Sequence, residues 1–560
     1  MVRRREVLLV ALLVFTAASS VSAQRVHGVV RDSITGAPVA GAVVLLSDSI
    51  GTLLARSIGD ETGAFTMLRL RGSASIRIVR IGYHPRDVTL SADDSIVDIR
   101  LGAIPAFLDA MTASSERVCP GEHGTTAGFE LWQQARAALL ASVVSRESHP
   151  PRIRLLSFER TRDPVLNRVS KDESHMKELV LDRSYVAARP AWAFAYEGYM
   201  REDGRDRTYY APDDETLLDP SFANTHCLQL ARNDRDHADQ VGIAFEPVRD
   251  NDRDTLVDVR GVLWLDRAKP ALRSLQFEYT GLEPAARESG GEVVFRVMPN
   301  GVSMIERWVI RAAIIATEVQ VSASGLRRPL RAREYRMNSH RVATQEIGGE
   351  LASAQWPDGS AWHGLLPRIS GILADSAGTA IAGARVWMAK TNDTVVTDPN
   401  GRFSLPYVLP GLYAVLATDS VLAAGGLSRT AYYWVYVDRG RNAEVRLLFH
   451  PRSIVLSQLC PGASYREGTG VVLGQVVGVG GIPVVNARID VWRRIQANNI
   501  ELFRQEPGGA AGTDGKFVIC GTPLDQKLRI RAHDANDSAE FTIEKWPEEI
   551  VVKTLVVRSP

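Results

Sequence analysis

Alternating apolar and polar positions form the strongest pattern in this chain, and the pattern recurs three times. Each occurrence begins with a turn that contains glycine: "GDETGAFTMLRL" at 59–70, "TDPNGRFSLPYVLPGLY" at 397–413 and "GTDGKFVICGTP" at 512–523. A period of two places successive side chains on opposite faces of a strand, so one face is buried and the other is wet. Asn400-Gly401 and its counterparts tolerate a positive φ at low cost, and we expect each to close a hairpin.

The sequence before each phrase repeats as well. The three stretches read "VHGVVRDSITGAPVAGAVVLLSD", "ISGILADSAGTAIAGARVWMAK" and "VLGQVVGVGGIPVVNARIDVWRR". Each has a short strand with a glycine (Gly28, Gly371 and Gly474), then a turn, then renewed alternation. Several short strands at this spacing, without a helical period, predict a small antiparallel β-sandwich that is used three times.

The first copy also carries a family resemblance. Residues 26–83, with "TGAPVAGA", "DETGAF" and "IRIVRIGY", closely resemble the carboxypeptidase-regulatory-like domain, a transthyretin-like (prealbumin-type) sandwich. The copy at 367–450 resembles that domain nearly as well, and the copy at 470–558 is the most diverged. The resemblance implies the sandwich fold and a role as a stabilising, spacer or sugar-binding module, often ahead of an outer-membrane receptor barrel. A fold by itself does not determine function.

The region at 104–350 has a different pattern. "TTAGFELWQQARAALLASVVSR" carries apolar residues near helical spacing and predicts one amphipathic helix. Strand-like runs follow, namely "RIRLLSFER", "WAFAYEGYM", "VGIAFEPV", "EVVFRVM" and "SMIERWVIRA". A helix followed by a long antiparallel meander indicates an α+β domain in which a curved sheet wraps around the helix.

The clearest strand pair in that region is "TLVDVRGVLWLDRAKPALRSLQFEYTGL", with a turn at 267–270. It resembles the strand pair of exported lipoprotein-sorting-like half-barrels, in which one sheet face cups an apolar ligand. The alternative is a meander with a filled core, because most apolar sheet faces are simply buried. An open apolar groove near Trp264 and Phe277 would favour the carrier.

The sequence therefore predicts a mainly β protein: three transthyretin-like antiparallel β-sandwich modules plus a central α+β domain with an antiparallel meander and one helix. The expected boundaries are 1–23 for a signal peptide, 24–103 for the first sandwich, 104–350 for the central domain, 367–450 for the second sandwich and 470–558 for the third.

The N-terminus predicts export. Three arginines at 3–5 precede an apolar run at 7–17, and small residues at 21 and 23 fit a signal-peptidase site after Ala23. The run is shorter than the ~20 residues that a membrane span needs. We expect no transmembrane segment after signal removal, and a location in the periplasm, at the outer-membrane periphery or outside the cell.

The charge composition limits the classes of partner that the sequence supports. With 66 basic and 65 acidic residues the formal net charge is +1, which gives no electrostatic case for nucleic acid or an anionic membrane surface. Four cysteines allow three connectivities. Proximity favours Cys119–Cys227 and Cys460–Cys520, and structural disulfides suit an oxidising compartment.

Two candidate metal sites are weak. His175 and Glu178 have the His-x-x-Glu spacing of zinc carboxypeptidases, with His226, His237 and His340 as possible further ligands. Such pairs arise easily by chance, and "KDESHMKELVLDR" reads as a charged connection entering a strand.

A calcium loop is the other metal candidate. Asp250, Asp252 and Asp254 stand at alternate positions, but the glycine and glutamate that complete an EF-hand are missing. We predict solvated loops, no metal and no cofactor.

Aromatic residues in the second copy are the best ligand candidate. In "TAYYWVYVD", alternation places Tyr432, Trp434 and Tyr436 on one strand face and Tyr433 on the other. Flat rings on an exposed face suit sugar stacking or protein anchoring. The alternative is that they fill the strand core, because aromatics favour strands in general.

The sequence thus favours an exported, non-enzymatic envelope protein that acts as a binding, adhesion or scaffold module. Carbohydrate is the first ligand class to test, and another envelope protein is the other expected partner. The alternatives are a carrier of an apolar ligand or lipoprotein through the central domain, or a zinc carboxypeptidase-like enzyme.

Overall fold

The structure is a computed structural model in which a mainly β fold is confirmed. The predicted signal peptide and the Asp250, Asp252 and Asp254 cluster lie outside the described residues. The described residues are 25–91, 95–104, 118–120, 127–165, 168–186, 189–204, 206–232, 235–248, 253, 255–321, 335–424, 430–450, 456–457, 459–460, 469–497, 500–534, 537–546 and 550–557.

The first sandwich packs a three-stranded sheet against a four-stranded one. The sheet orders are β4-β1-β7 and β3-β2-β5-β6. Its core is formed by the inward-facing residues of both sheets. The strands are β1 (Arg25–Asp32), β2 (Val43–Asp48), β3 (Leu53–Ile58), β4 (Ala64–Leu68), β5 (Ser73–Val79), β6 (Arg86–Thr89) and β7 (Ile96–Leu101).

A central antiparallel sheet of ten strands follows, in the order β12-β13-β14-β15-β16-β17-β18-β8-β9 with β19 paired to β18. In this central region, β10 and β11 pair with each other as a separate two-stranded sheet. The elements of the region are α1 (Ala127–Ser148), β8 (Arg152–Arg162), β9 (Val169–Val180), α2 (Ala191–Glu197), β10 (Met200–Asp203), β11 (Asp206–Tyr209), α3 (Asp214–Leu218), α4 (Pro220–Thr225), β12 (His226–Leu230), β13 (Gln240–Pro247), β14 (Val259–Asp266), β15 (Leu272–Tyr279), a 3-10 turn (Pro284–Ala286), β16 (Gly290–Val297), β17 (Ser303–Val321), β18 (Tyr335–Gln355) and β19 (Ala361–His363).

The second and third sandwiches repeat the strand order of the first. The sheets are β23-β20-β26 with β22-β21-β24-β25, and β30-β27-β33 with β29-β28-β31-β32. The second has β20 (Ile369–Asp375), β21 (Arg385–Met388), β22 (Thr394–Val396), β23 (Arg402–Leu405), β24 (Gly411–Thr418), α5 (Ser420–Ala424), β25 (Thr430–Val437) and β26 (Ala443–Phe449). The third has β27 (Thr469–Gly478), β28 (Arg488–Ala497), β29 (Ile500–Ala510), β30 (Lys516–Pro523), β31 (Leu528–His533), β32 (Ser538–Ile543) and β33 (Ile550–Val557).

The chain forms two compact units. The first contains residues 1–155, 177–312 and 348–363, and the second contains 156–176, 313–347 and 364–560. The first sandwich and most of the central sheet therefore belong to the first unit. The second and third sandwiches belong to the second unit, together with parts of β8, β9, β17 and β18.

The repeated glycines serve the sandwich cores. Gly371 in β20 lies opposite Phe403 in β23, and a Cβ on Gly371 would overlap the Phe403 ring. Because the ring fills the space above the glycine, the three-stranded sheet can pack closely on its partner. This explains why the first strand of each copy carries a glycine.

The glycine-containing turns form as expected, but the predicted hairpins are wrong. The turn at 398–401 is closed by hydrogen bonds from Gly401 N to Asp398 O (2.9 Å) and from Asp398 N to Arg402 O (2.9 Å). The strands on either side, β22 and β23, belong to different sheets. Gly401 has a φ of 70°, and a Cβ there would overlap the carbonyl oxygen of Leu373 in β20. The turn thus carries the chain from one sheet to the other.

Helix α1 forms where it is predicted, but it is buried on two sides rather than one, because it fills the inner side of the central sheet and also packs on the first sandwich. Trp132, Ala135 and Leu139 are buried in one core together with Leu263 and other inward residues of β13 to β17. The short helices α2, α3 and α4 pack into the same region and were not predicted.

One strand expectation in this region is wrong. "WAFAYEGYM" has alternating aromatics, yet 191–197 forms helix α2, which begins after Pro190 and ends at Gly198. Alanines at alternate positions favour a helix. Phe194 is buried and stacks on Tyr199, with 4.6 Å between ring centroids.

Both predicted disulfides form. Cys119 pairs with Cys227 in the first unit, and Cys460 pairs with Cys520 in the second. Among the described residues, none of the helices has the length and apolar character to cross a membrane.

Candidate ligand-binding face of the second sandwich

Strand β25 is the edge strand of its four-stranded sheet, and it presents aromatic rings to solvent. Ala431, Val435 and Val437 are buried in the sandwich core. Tyr432, Trp434 and Tyr436 alternate with them on the outer face, with exposed fractions of 71%, 44% and 60%. We call these three residues the aromatic strip.

Tyr433 departs from the alternation. It has the inward phase of Val435, yet half of its surface is exposed. The ring of Tyr433 therefore does not fill the sandwich core, although its position has the inward phase.

Half-buried apolar residues of the neighbouring strand β24 extend the aromatic strip across the sheet. Tyr432 lies opposite Leu416, and Tyr436 lies opposite Leu412. On the far side of β24, Trp387 lies opposite Leu416. Because alternate residues of a strand are about 7 Å apart, the three rings form a row about 13 Å long.

A cation stands over the middle ring. The guanidinium carbon of Arg168 lies 5.7 Å from the centroid of the Trp434 ring, which is the geometry of a cation–π contact. A backbone bridge between Arg168 and Leu412 fixes this arginine beside β24. The strip therefore combines apolar ring faces with one positive charge, and sequence reasoning missed the charge because 266 positions separate the two side chains.

The other two sandwiches have polar residues at the equivalent positions. The outer face of β6 carries Asp87 and Thr89, and the outer face of β32 carries Ser538, Glu540 and Thr542. The strand order is the same in all three copies, so the fold itself does not need rings there.

The corresponding sheet face of the first sandwich is not open. Val43 and Ile58 on that face pack against Ala141 and Val144 of α1. The face that carries rings in the second copy is thus a docking surface in the first.

A buried polar cluster lies at one end of β24. Arg160 donates to Glu346 (2.7 Å) and to the Pro410 carbonyl (3.0 Å), and Tyr413 donates to Asp172 (3.2 Å). Burial raises the pKa of Asp172 to about 6, although Arg160 and the Tyr413 hydroxyl oppose the shift. The cluster holds the start of β24 against β8, β9 and β18.

The weak zinc candidates His175 and Glu178 lie on a strand rather than on the charged connection that we predict for them. His175 and Glu178 are both exposed on β9, three residues apart and therefore on opposite strand faces. Glu178 pairs with Arg154 at 3.2 Å. As an edge strand, β9 can expose charges on both faces.

Two of the other candidate histidines have partners of their own. His226 is buried and lies within 3.1 Å of the Phe222 and Val259 carbonyl oxygens, and His237 stacks on Trp264 at 3.9 Å. Within the described ranges, no group of three His, Cys, Asp or Glu residues is arranged to hold a metal ion.

Trp264 and Phe277 do not line a common groove. Phe277 is buried in the core against α1, whereas Trp264 lies on the other sheet face, where its Nε1 donates to Gln276 (3.2 Å). The inner face of this part of the sheet is filled by side chains.

Comparison with known proteins gives one family model, which matches two ranges of the chain, and several distant structural likenesses. The streptococcal ancillary pilin has 10% identity and a TM-score of 0.15, over 40% of this chain and 82% of the pilin. The shaft pilin SpaA from Lactobacillus rhamnosus GG has 8% identity and a TM-score of 0.14, over 35% and 97%. The TIE protein of Bacillus anthracis has 11% identity and a TM-score of 0.16, over 64% and 63%. Scores this low support no conclusion about function.

Sequence comparison is more specific. No curated protein matches the chain. The family model named carboxypeptidase regulatory-like domain matches residues 25–102 and 368–447. These ranges cover the seven strands of the first sandwich and most of the second. The chain therefore carries two carboxypeptidase regulatory-like domains, and its third sandwich shares their strand order.

Proposed function

We propose that this protein is an exported, non-catalytic binding protein of the cell envelope, and that the aromatic strip holds a glycan. One observation carries the proposal: Tyr432, Trp434 and Tyr436 are exposed where the sister sandwiches have polar residues. Large exposed rings cost solubility, and an equivalent fold forms without them. A ligand that covers them is the simplest physical reason for their presence.

Sugar rings suit this surface. One face of a pyranose presents C–H groups that pack on a flat aromatic ring, while its hydroxyl groups stay in water. Arg168, above Trp434, can donate hydrogen bonds to hydroxyl or carboxylate groups at the edge of such a ring. An elongated, acidic or neutral polysaccharide chain would follow the row of three rings.

The expected affinity is low for one site. Covering about 50 Å² of each ring contributes about 1 kcal/mol per ring. Three rings then give about 3–4 kcal/mol, which corresponds to a dissociation constant near or above 1 mM. Repeating polymers gain apparent affinity because several sites bind the same chain.

The test is binding of the mature protein to insoluble polysaccharides and to soluble oligosaccharides of four to six sugars. Trp434→Ala should abolish retention on the polymer. Trp192→Ala is the matched control, because Trp192 is exposed to 57% on α2 in the other unit. Failure of every glycan to bind, or equal binding by Trp434→Ala, would overturn the proposal.

A second candidate is docking of another envelope protein on the same face. The packing of α1 on the equivalent face of the first sandwich favours it. In that case no glycan binds. The Trp434→Ala variant instead loses binding to a protein partner, and the Trp192→Ala control keeps that binding.

A further inference from the structure

A cavity of about 780 Å³ lies in the first unit, between α1 and the outer face of the four-stranded sheet of the first sandwich. Its volume falls within the range of about 300–1,000 Å³ that is typical of small-molecule sites. It is formed by different residues from the aromatic strip, and it does not depend on the proposed glycan function.

Part of the cavity lining is apolar, and we call this part the floor. From the sheet side, Leu45 and Val79 line it, and from the helix side Ala137, Leu140 and Val143 do. Each of these helix residues follows the previous one by three positions, so they lie on the same side of α1. The floor can therefore bury a hydrocarbon chain.

Most of the acidic groups in the lining are already paired. Glu147 pairs with Arg56. Glu215 accepts from Arg146 (3.0 Å) and from the backbone N–H of Ser184 (3.1 Å). The lining carboxylate of Asp219 accepts from the first turn of α4.

Two cations in the lining have no carboxylate partner among the described residues. Arg80 donates from Nε to the Ala40 carbonyl (2.9 Å) and from Nη2 to the Gly301 carbonyl (3.0 Å), and its described hydrogen bonds do not use Nη1. Burial of the Arg80 guanidinium lowers its pKa. Arg136 extends from α1 into the same lining and has no described ion pair.

We propose that this cavity binds a single-chain amphiphile with a carboxylate head group, such as a fatty acid. The chain packs on the apolar floor, and the carboxylate accepts charge-assisted hydrogen bonds from the two arginines. The apolar floor excludes a small inorganic anion as the best ligand, and the unpaired arginines exclude a cationic amphiphile. This assigns the ligand to a site outside the filled core of the central sheet.

The test is isothermal titration of the mature protein with three probes that share a twelve-carbon chain. These are laurate, dodecyltrimethylammonium and the neutral dodecyl maltoside, each below its micelle concentration. We expect one equivalent of laurate to bind and the other two to bind at least about tenfold more weakly, because a charged hydrogen bond is lost.

Variants locate the site. Arg136→Gln should weaken laurate about tenfold or more, whereas Arg201→Gln, at an exposed arginine of β10, should leave the affinity unchanged. Ala137→Trp fills the cavity without altering charge and should abolish binding. Thermal unfolding checks that each variant is folded. Equal binding of all three probes, no laurate binding, or laurate binding that survives both Arg136→Gln and Ala137→Trp would overturn the proposal.

Discussion

Gly474 lies directly opposite Phe517 in the third sandwich, and the Phe517 ring occupies the space that a Cβ on Gly474 would need. The same pairing joins Gly28 to Phe65 in the first sandwich. The most diverged copy thus keeps the same cross-strand contact. The pairing is a structural signature of the module, independent of any ligand.

Replacing this glycine should therefore destabilise its sandwich. Gly474→Ala forces the Phe517 ring out of its position, and overpacking of this kind costs about 1–3 kcal/mol. Gly509→Ala is the control, because a Cβ at Gly509 of the same sandwich meets nothing within 4 Å. Urea unfolding of both variants measures the difference. Equal stability of the two variants would contradict the prediction.

The buried carboxyl of Asp172 should make the second unit pH-sensitive. Its pKa is about 6 in the fold, above the ordinary value of 3.8, so the folded state prefers the protonated form. The stability that this preference contributes is present below pH 4 and is lost as the pH rises to about 6. Two pKa units correspond to about 3 kcal/mol.

The Asp172→Asn variant tests the direction of this pH dependence of stability. The amide remains uncharged, so the variant should gain stability relative to the natural protein between pH 4 and pH 6 and keep that gain at pH 7. Calorimetric unfolding at several pH values measures it. The other charged and titratable groups facing Asp172, namely Arg160, Arg162, Glu346, Asp393 and Tyr413, stay in place. A stability difference that does not vary with pH would refute the prediction.

Removing only one member of the buried ion pair between Arg146 and Asp214 should lower the free energy of unfolding strongly. Asp214 is fully buried and also accepts from Ser142 (2.6 Å). Asp214→Ala leaves a buried guanidinium without its main partner, which costs about 3–5 kcal/mol. The double variant Arg146→Met with Asp214→Leu should lose much less. If the double variant is the less stable of the two in urea unfolding, this account is wrong.

Each disulfide should stabilise its own unit. Cys460 and Cys520 are 60 residues apart, and Cys119 and Cys227 are 108 apart. Loop-closure entropy gives about 4–5 kcal/mol for loops of this length. Calorimetry of the Cys460→Ser, Cys520→Ser double variant should show one lowered transition and one that is unchanged. The Cys119→Ser, Cys227→Ser variant should show the opposite pattern, and a shift of both transitions by either variant would contradict this.

Much of the fold could be predicted because its signals are local. Period-two alternation and turn glycines indicate strands whatever their partners are, and the spacing of Trp132, Ala135 and Leu139 indicates α1. Which sheet a strand joins is a tertiary property, and this is why the local pattern at Gly401 predicts a hairpin that the fold does not contain. The aromatics of α2 alternate like those of a strand, and only the alanines and the flanking Pro190 and Gly198 argue for a helix.

The candidate sites also differ in whether a local sequence pattern predicts them. The aromatic strip is visible in the sequence because its three members are alternate residues of one strand. Arg168, the Asp172–Tyr413 contact and the cavity beside Arg136 join residues that are far apart in the chain. No local sequence pattern predicts these contacts, so they can be identified only from the folded structure.

The first and last strands of every sandwich are neighbours and run parallel, as β20 does beside β26, with Ile369 next to Ala443 and Asp375 next to Phe449. The chain therefore enters each sandwich at one end and leaves it at the other. A pull on the two ends would load all the evenly spaced hydrogen bonds between these strands in shear, instead of opening them one after another. We expect each module to resist tension that is applied between its two ends.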